Sequence, residues 1–95
     1  MVNSDGDAVN LLQRLLSHGI LVPEDFAIVS YDDEFAALAD VPLSAVSPPK
    51  RALGEHAAAL LLRRIADPDG PREHLDLLPT LHVRDSCGAK RTTAA

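Results

Sequence analysis

The sequence predicts an α/β fold, a parallel sheet with flanking helices, and predicts that this fold is incomplete on its own. Three observations carry this. Residues 26–31 are a nearly continuous apolar, β-branched and aromatic run, the pattern of a strand buried on both faces of a parallel sheet. Helical and extended patterns alternate along the chain, with a partial strand at its start and two extended pieces at its end, as α/β folds require. Only two or three candidate strands are present in 95 residues. A buried parallel strand needs a neighbour on each side and helices over both faces, so the chain looks cut out of something larger.

The elements follow in order. Val2 reads as the last residue of a strand. Asn3, Ser4 and Asp5 are all good N-caps, and Asp5 and Asp7 suit the positive end of a helix dipole. Ala8, Leu11, Leu12, Leu15 and Leu16 recur at helical spacing and predict an amphipathic helix over 8–18. Val9 lies beside that stripe, where an apolar residue is ordinary surface or the border of a partner. Gly19 ends the helix in the left-handed conformation. Pro23 then forces an extended approach to the strand. Asp32 and Asp33 follow the strand at once, at the edge where ligands of open α/β sheets bind.

Residues 34–40 predict a short helix or helical turn, ended by Val41 and Pro42. Residues 43–46 predict a short strand, and Ser47, Pro48 and Pro49 a stiff break. The longest helix is expected over 50–67, with Leu53, Ala57, Leu60, Leu61 and Ile65 as its core stripe. Residues 67–71 are a turn. Residues 75–78 and 80–83 are extended pieces around Pro79, and 86–95 read as a frayed tail. Cys87 falls in that tail.

Composition narrows the function. A hydrophobic content of 46% excludes a disordered chain, and 3% aromatics means an aliphatic core. A net charge of −5 lacks the clustered Lys and Arg that phosphate binding needs, so this chain alone is not expected to bind nucleic acid. No apolar run approaches the roughly 18 residues that span a bilayer, and the N-terminus does not look like a signal peptide. A single cysteine fits a reducing cytoplasm. His18, His56, His74 and His82 show no metal-ligand spacing, and no G-x-S-x-G elbow or catalytic carboxylate pair is present. These observations imply no enzyme, cofactor or metal.

At residues 19–33 the sequence resembles the effector-binding core of the LacI/GalR (lactose-repressor/galactose-repressor) family of bacterial transcription regulators, and the resemblance runs from Val2 to Ser86. It rests on ordered signals. These are Asn3-Ser4-Asp5 before a helix, Gly19 through Val22-Pro23-Glu24-Asp25, Val29-Ser30-Tyr31-Asp32-Asp33, and Pro42-Leu43-Ser44-Ala45-Val46. Leu53-Gly54 with Ala57 and Leu61-Leu62 follow, then Leu78-Pro79 through Val83-Arg84-Asp85-Ser86.

The resemblance implies a type I periplasmic-binding-protein-like fold, with two α/β subdomains joined by crossover strands and effector in the cleft. It implies that the chain is the C-terminal portion of such a protein. Residues 1–47 would belong to the C-subdomain, 48–79 would complete the N-subdomain, 80–87 would return to the C-subdomain sheet, and 88–95 would be a flexible tail. Pro48, Pro49 and Pro79 would sit at the hinge crossovers. Pro48 stands where many members carry a polar residue such as Gln, so one expected contact is missing. Asp32 matches the family aspartate that hydrogen-bonds effector, although from the residues alone a solvated helix cap is the favoured reading. Ser4 stands where family members commonly carry a contacting asparagine, and Asp5 matches the aspartate after it, with capping as its other role. Asp33 caps or braces. Ser30 replaces the usual glycine.

The implied partners are a small-molecule effector, a sugar or related polyol, and a second copy in a homodimer, with Val9 and Leu38 at the interface. Operator DNA would be bound only through a headpiece that this sequence does not contain, and no membrane is involved. Two other readings stand beside this one. The chain could be a piece of a periplasmic sugar-binding transport protein, distinguished by an upstream signal peptide instead of a headpiece, or a truncated remnant. The isolated chain is expected to fold poorly, because its parallel strand exposes edges.

Overall fold

The computed structural model describes residues 1–89. The chain divides into two compact units, residues 1–47 with 80 onward, and residues 48–79.

In the first unit, helix α1 spans Asp5–Ser17. It starts earlier than the apolar stripe because Ser4 caps it, its hydroxyl oxygen accepting from the Asp7 N–H at 3.2 Å. It ends as expected at Gly19, φ 75°. The Ile20 N–H donates to the Leu15 carbonyl and the Gly19 N–H to the Leu16 carbonyl, the paired bonds of a Schellman ending. Ala8 and Leu12 are buried, with Leu11, Leu15, Leu16 and Val9 packed against the same core.

Strand β1 is Val29–Tyr31, three residues rather than six. The expectation of a long strand buried on both faces is corrected by a local turn. The Asp25 and Phe26 N–H groups both donate to the Leu21 carbonyl, and the Asp25 carboxylate accepts from the Leu21 N–H at 3.0 Å. Phe26 therefore has no N–H to give a ladder, and it is 47% exposed. Ile28 is buried, but its N–H goes to the Ser86 carbonyl.

β1 does have a neighbour on each side. Val2 forms a parallel bridge with Ser30. On the other side β2, Ser44–Ser47, runs parallel to β1 with Ser30 opposite Ala45. The third strand β3, Thr80–His82, pairs antiparallel to β2, with Ser47 opposite Thr80. The sheet, ordered β1-β2-β3, is thus mixed rather than purely parallel. A 3-10 turn at Ala36–Leu38 fills the predicted helical turn.

The core joins Ala8, Leu12, Val22, Ile28, Ala36, Leu43 and Ala45. Ser86 belongs to this core and not to a tail. It lies in a 3-10 turn, Asp85–Cys87, and is fully buried. Its hydroxyl donates to the Ile28 carbonyl and accepts from the Ser44 N–H. Ser44 and Cys87 also make a side-chain contact at 3.1 Å. The remainder of the predicted tail, residues 90–95, lies outside the described residues.

The second unit is helix α2, Lys50–Ala66, and the segment after it, which turns at Gly70 where the N–H donates to the Asp67 carbonyl. Pro49 stands at the N-cap. The expected core stripe is not buried: no α2 residue is, and Leu61 and Ile65 are 62% and 67% exposed. Within this unit, one helix and one irregular segment supply no second apolar face to cover that stripe. No described helix is long and apolar enough to cross a membrane.

Candidate functional site

Parallel pairing assembles one edge of the first unit. Because Val2 pairs with Ser30 in parallel register, Ser4 and Asp32, each two residues further on, leave their strands at the same end. β2 ends there too, at Ser47. Thr80 lies opposite Ser47, so the chain departs from this unit and returns to it at the same edge. Pro48 and Pro79 flank those two points, with Pro49 next to Pro48. Ser47 and Thr80 add two hydroxyl-bearing residues that sequence reasoning did not single out; only the register reveals them.

Asp32 is partly buried at the end of β1, its N–H donating to the Val46 carbonyl at 2.9 Å. Its φ is 103° and that of Asp33 is 60°. Two consecutive non-glycine residues in the left-handed region need external support. The first support is Asp5, only 2% exposed. Its Oδ1 accepts from the Ser30 hydroxyl at 2.9 Å and the Asp33 N–H at 3.3 Å, and its Oδ2 from the N–H groups of Glu34 and, at 3.0 Å, Phe35. Burial pushes the Asp5 carboxyl up, but the donors from Phe35, Ser30, Glu34 and Asp33 together bring it below the ordinary carboxylate range. Asp5 is thus buried beneath the loop that carries Asp32, with its acceptors committed to protein donors, while Ser4 remains partly exposed at the start of α1.

The second support is Asp33. Its carboxylate meets Arg84 at two points, 2.7 Å to Nη1 and 3.2 Å to Nη2, and His82 Nδ1 at 2.6 Å. Arg84 Nη1 also donates to the Leu43 carbonyl at 2.8 Å. The Arg84 guanidinium foremost holds the Asp33 carboxyl below its usual range, and Asp33 in turn raises Arg84. Arg84 and His82 were not anticipated as site residues. Nothing local marks them, because they meet Asp33 across about fifty residues of sequence.

Val9 is partly buried at the margin of α1, and Leu38 is 85% exposed on the 3-10 turn. Among the described residues, no group of three or more His, Cys, Asp or Glu side chains could hold a metal ion. A surface hollow of about 630 Å³ lies in the second unit along the end of α2 beside Arg63, Arg64 and Arg72. It contains none of the residues of this edge.

Comparison with known proteins identifies the family and the fold. Residues 1–87 match the family model of the periplasmic binding protein-like domain. The chain is 36% identical over 84 residues to the HTH-type transcriptional repressor PurR of Vibrio vulnificus (strain CMCP6), covering 87% of this chain and 25% of that protein. It is 38% identical over 84 residues to the ribose operon repressor of Escherichia coli (strain K12), covering 87% and 26%. Among solved structures, the transcriptional regulator CelR in complex with cellobiose superposes with a TM-score of 0.83 at 36% identity, over 88% of this chain and 26% of that one. The chain spans about a quarter of the length of the curated relatives it matches.

Proposed function

The chain belongs to the periplasmic binding protein-like domain family, and on that premise we propose that it is the C-terminal portion of the effector-binding domain of a LacI/GalR-type transcription regulator. The effector is a small molecule, a sugar or related polyol. The relatives at 36–38% identity are repressors, one of them of a ribose operon, and a structural neighbour is a regulator holding cellobiose. The ribose operon repressor and the cellobiose complex support a sugar as effector, and both repressors support control of transcription.

The observation that carries the reading is the shared edge where Ser4 and Asp32 emerge from parallel-paired strands. A carboxylate accepts from two adjacent sugar hydroxyls, and such charge-assisted bonds are the stronger kind. The Ser4 hydroxyl, which accepts from its own helix, adds a shorter polar contact than the common family asparagine. Asp5 lies behind them. In this reading Pro48, Pro49 and Pro79 mark the crossovers about which two lobes close on effector. Closure shifts the population toward one lobe arrangement because effector binds that arrangement better. Val9 and Leu38 face a second copy, and operator DNA is bound by a headpiece elsewhere in the whole protein.

The test is calorimetric titration of the full protein carrying this chain with ribose and with cellobiose, native and Asp32→Ala. Binding of at least one sugar, weakened about a hundredfold by the substitution, is expected when two charge-assisted bonds are lost. A native protein that binds neither sugar, or an Asp32→Ala variant with native affinity, overturns the reading.

A further inference from the structure

We propose that Asp5 and Ser30 are positioning residues that aim Asp32 without touching effector themselves; this rests on the reading that Asp32 contacts it. Asp32 and Asp33 both have positive φ, a conformation that side-chain-bearing residues adopt only when their surroundings impose it. The donors that Asp5 gathers come from both sides of Asp32: the Ser30 hydroxyl before it, and the N–H groups of Asp33, Glu34 and Phe35 after it. An ionised carboxylate has about four acceptor sites, so these four donors fill it. Asp5, at 2% exposure, presents no oxygen to a ligand.

Ser30 is the distinctive part. It is fully buried in β1, and the family resemblance leads one to expect glycine there. Glycine has no hydroxyl, so the 2.9 Å Ser30–Asp5 bond is an added tie in this chain. It fixes one carboxylate oxygen against the strand just before the loop turns. The Asp33 carboxylate is meanwhile held by Arg84 and His82. Asp33 is thus braced by these two side chains, while the Asp5 network fixes the backbone on both sides of Asp32.

The experiment is a double-mutant cycle in the full protein carrying this chain, with ribose and cellobiose as probes. Ser30→Ala removes one of the four donors and spares the fold better than Asp5→Asn. It is expected to raise Kd about tenfold in the native background, the scale on which loss of one hydrogen bond to a charged group acts. In an Asp32→Asn background, Ser30→Ala is expected to leave Kd unchanged within about twofold, because positioning matters only while Asp32 is the contact. An equal loss in both backgrounds, or no loss in either, overturns the inference. Native affinity in Asp32→Asn alone overturns the underlying reading instead. Should the native protein bind neither sugar, amide exchange decides the positioning role without ligand. Faster exchange at Asp33, Glu34 and Phe35 in Ser30→Ala upholds it, and unchanged rates reject it.

Discussion

Replacing Arg84 by Met removes the charge that holds Asp33 while keeping most of the aliphatic stem. Its cost can be worked from the geometry. The Asp33 side chain is 8% exposed and that of Arg84 22%. Two contacts, at 2.7 and 3.2 Å, make the pair bidentate. At an effective dielectric of about 20, unit charges about 3 Å apart attract by about 5 kcal/mol before desolvation is subtracted. Stranding one partner of a fully buried pair costs about 3–5 kcal/mol. Here Asp33 keeps His82, and Arg84 is one-fifth exposed, so the pair falls below that range. The Leu43 carbonyl also loses its guanidinium donor. A loss of about 2 kcal/mol is expected at pH 7.

Urea unfolding of the full protein carrying this chain, native against Arg84→Met, measures this difference. The pH dependence supplies a second readout. Asp33 has a lower pKa folded than unfolded, so its contribution is present above the unfolded carboxylate range, about 4, and is lost as the pH falls through the folded value below it. The gap between the two proteins should therefore be widest near neutrality and close in acid. A difference under about 0.5 kcal/mol at pH 7, the scale of an exposed pair, or a gap that persists unchanged below the folded value, would refute the reasoning.

Three other outcomes follow from particular contacts. Ser86→Ala leaves the Ser44 N–H and the Ile28 carbonyl without their partner in a buried site, and should cost about 2–3 kcal/mol in the same unfolding assay. Val9→Glu, and separately Leu38→Glu, should shift the full protein from dimer toward monomer in analytical ultracentrifugation; an unchanged dimer would remove either residue from the interface. In the 95-residue chain, amides of α2 should exchange faster than those of α1, since α2 has no buried residue and an unpacked helix of this length is marginal in water.

The parts legible in the sequence are those decided by neighbours in the chain. The 3.6-residue stripe of α1, the Ser4 cap and the Gly19 ending are local chemistry, and all three stand in the structure. β2 and the turn before it were legible for the same reason. Phe26 misled because apolar periodicity ignores where backbone donors go; the Leu21–Asp25 turn takes the N–H that a longer strand would need. Ser86 misled because small polar composition resembles a tail, whereas its hydroxyl serves groups 42 and 58 residues away. The site divides along the same line. The Asp pair at the end of a strand marked the edge, but the hydrogen-bond partners of Asp5 and Asp33 are long-range donors that no spacing rule encodes. The α2 stripe was expected to be core and is not buried, because a pattern names at most a face and not what covers it.

On the proposed reading, the Asp32–Ser4 edge binds only weakly by itself. In the proposed contact, Asp32 accepts two charge-assisted hydrogen bonds from adjacent sugar hydroxyls and Ser4 adds one neutral one. At about 1.5–3 kcal/mol for a bond to a charged group and about 1 for a neutral one, their gross worth is about 4–7 kcal/mol. Association then subtracts at least about 4 kcal/mol for lost translational and rotational freedom. What remains lies at the millimolar level or weaker. On the proposed reading, micromolar recognition therefore requires contacts from a second surface beyond this edge. Titration of the 95-residue chain with ribose and cellobiose, followed by NMR at the Asp32 amide, should show no site tighter than millimolar. A micromolar site there would mean that this unit recognises sugar alone, and that closure is not needed for affinity.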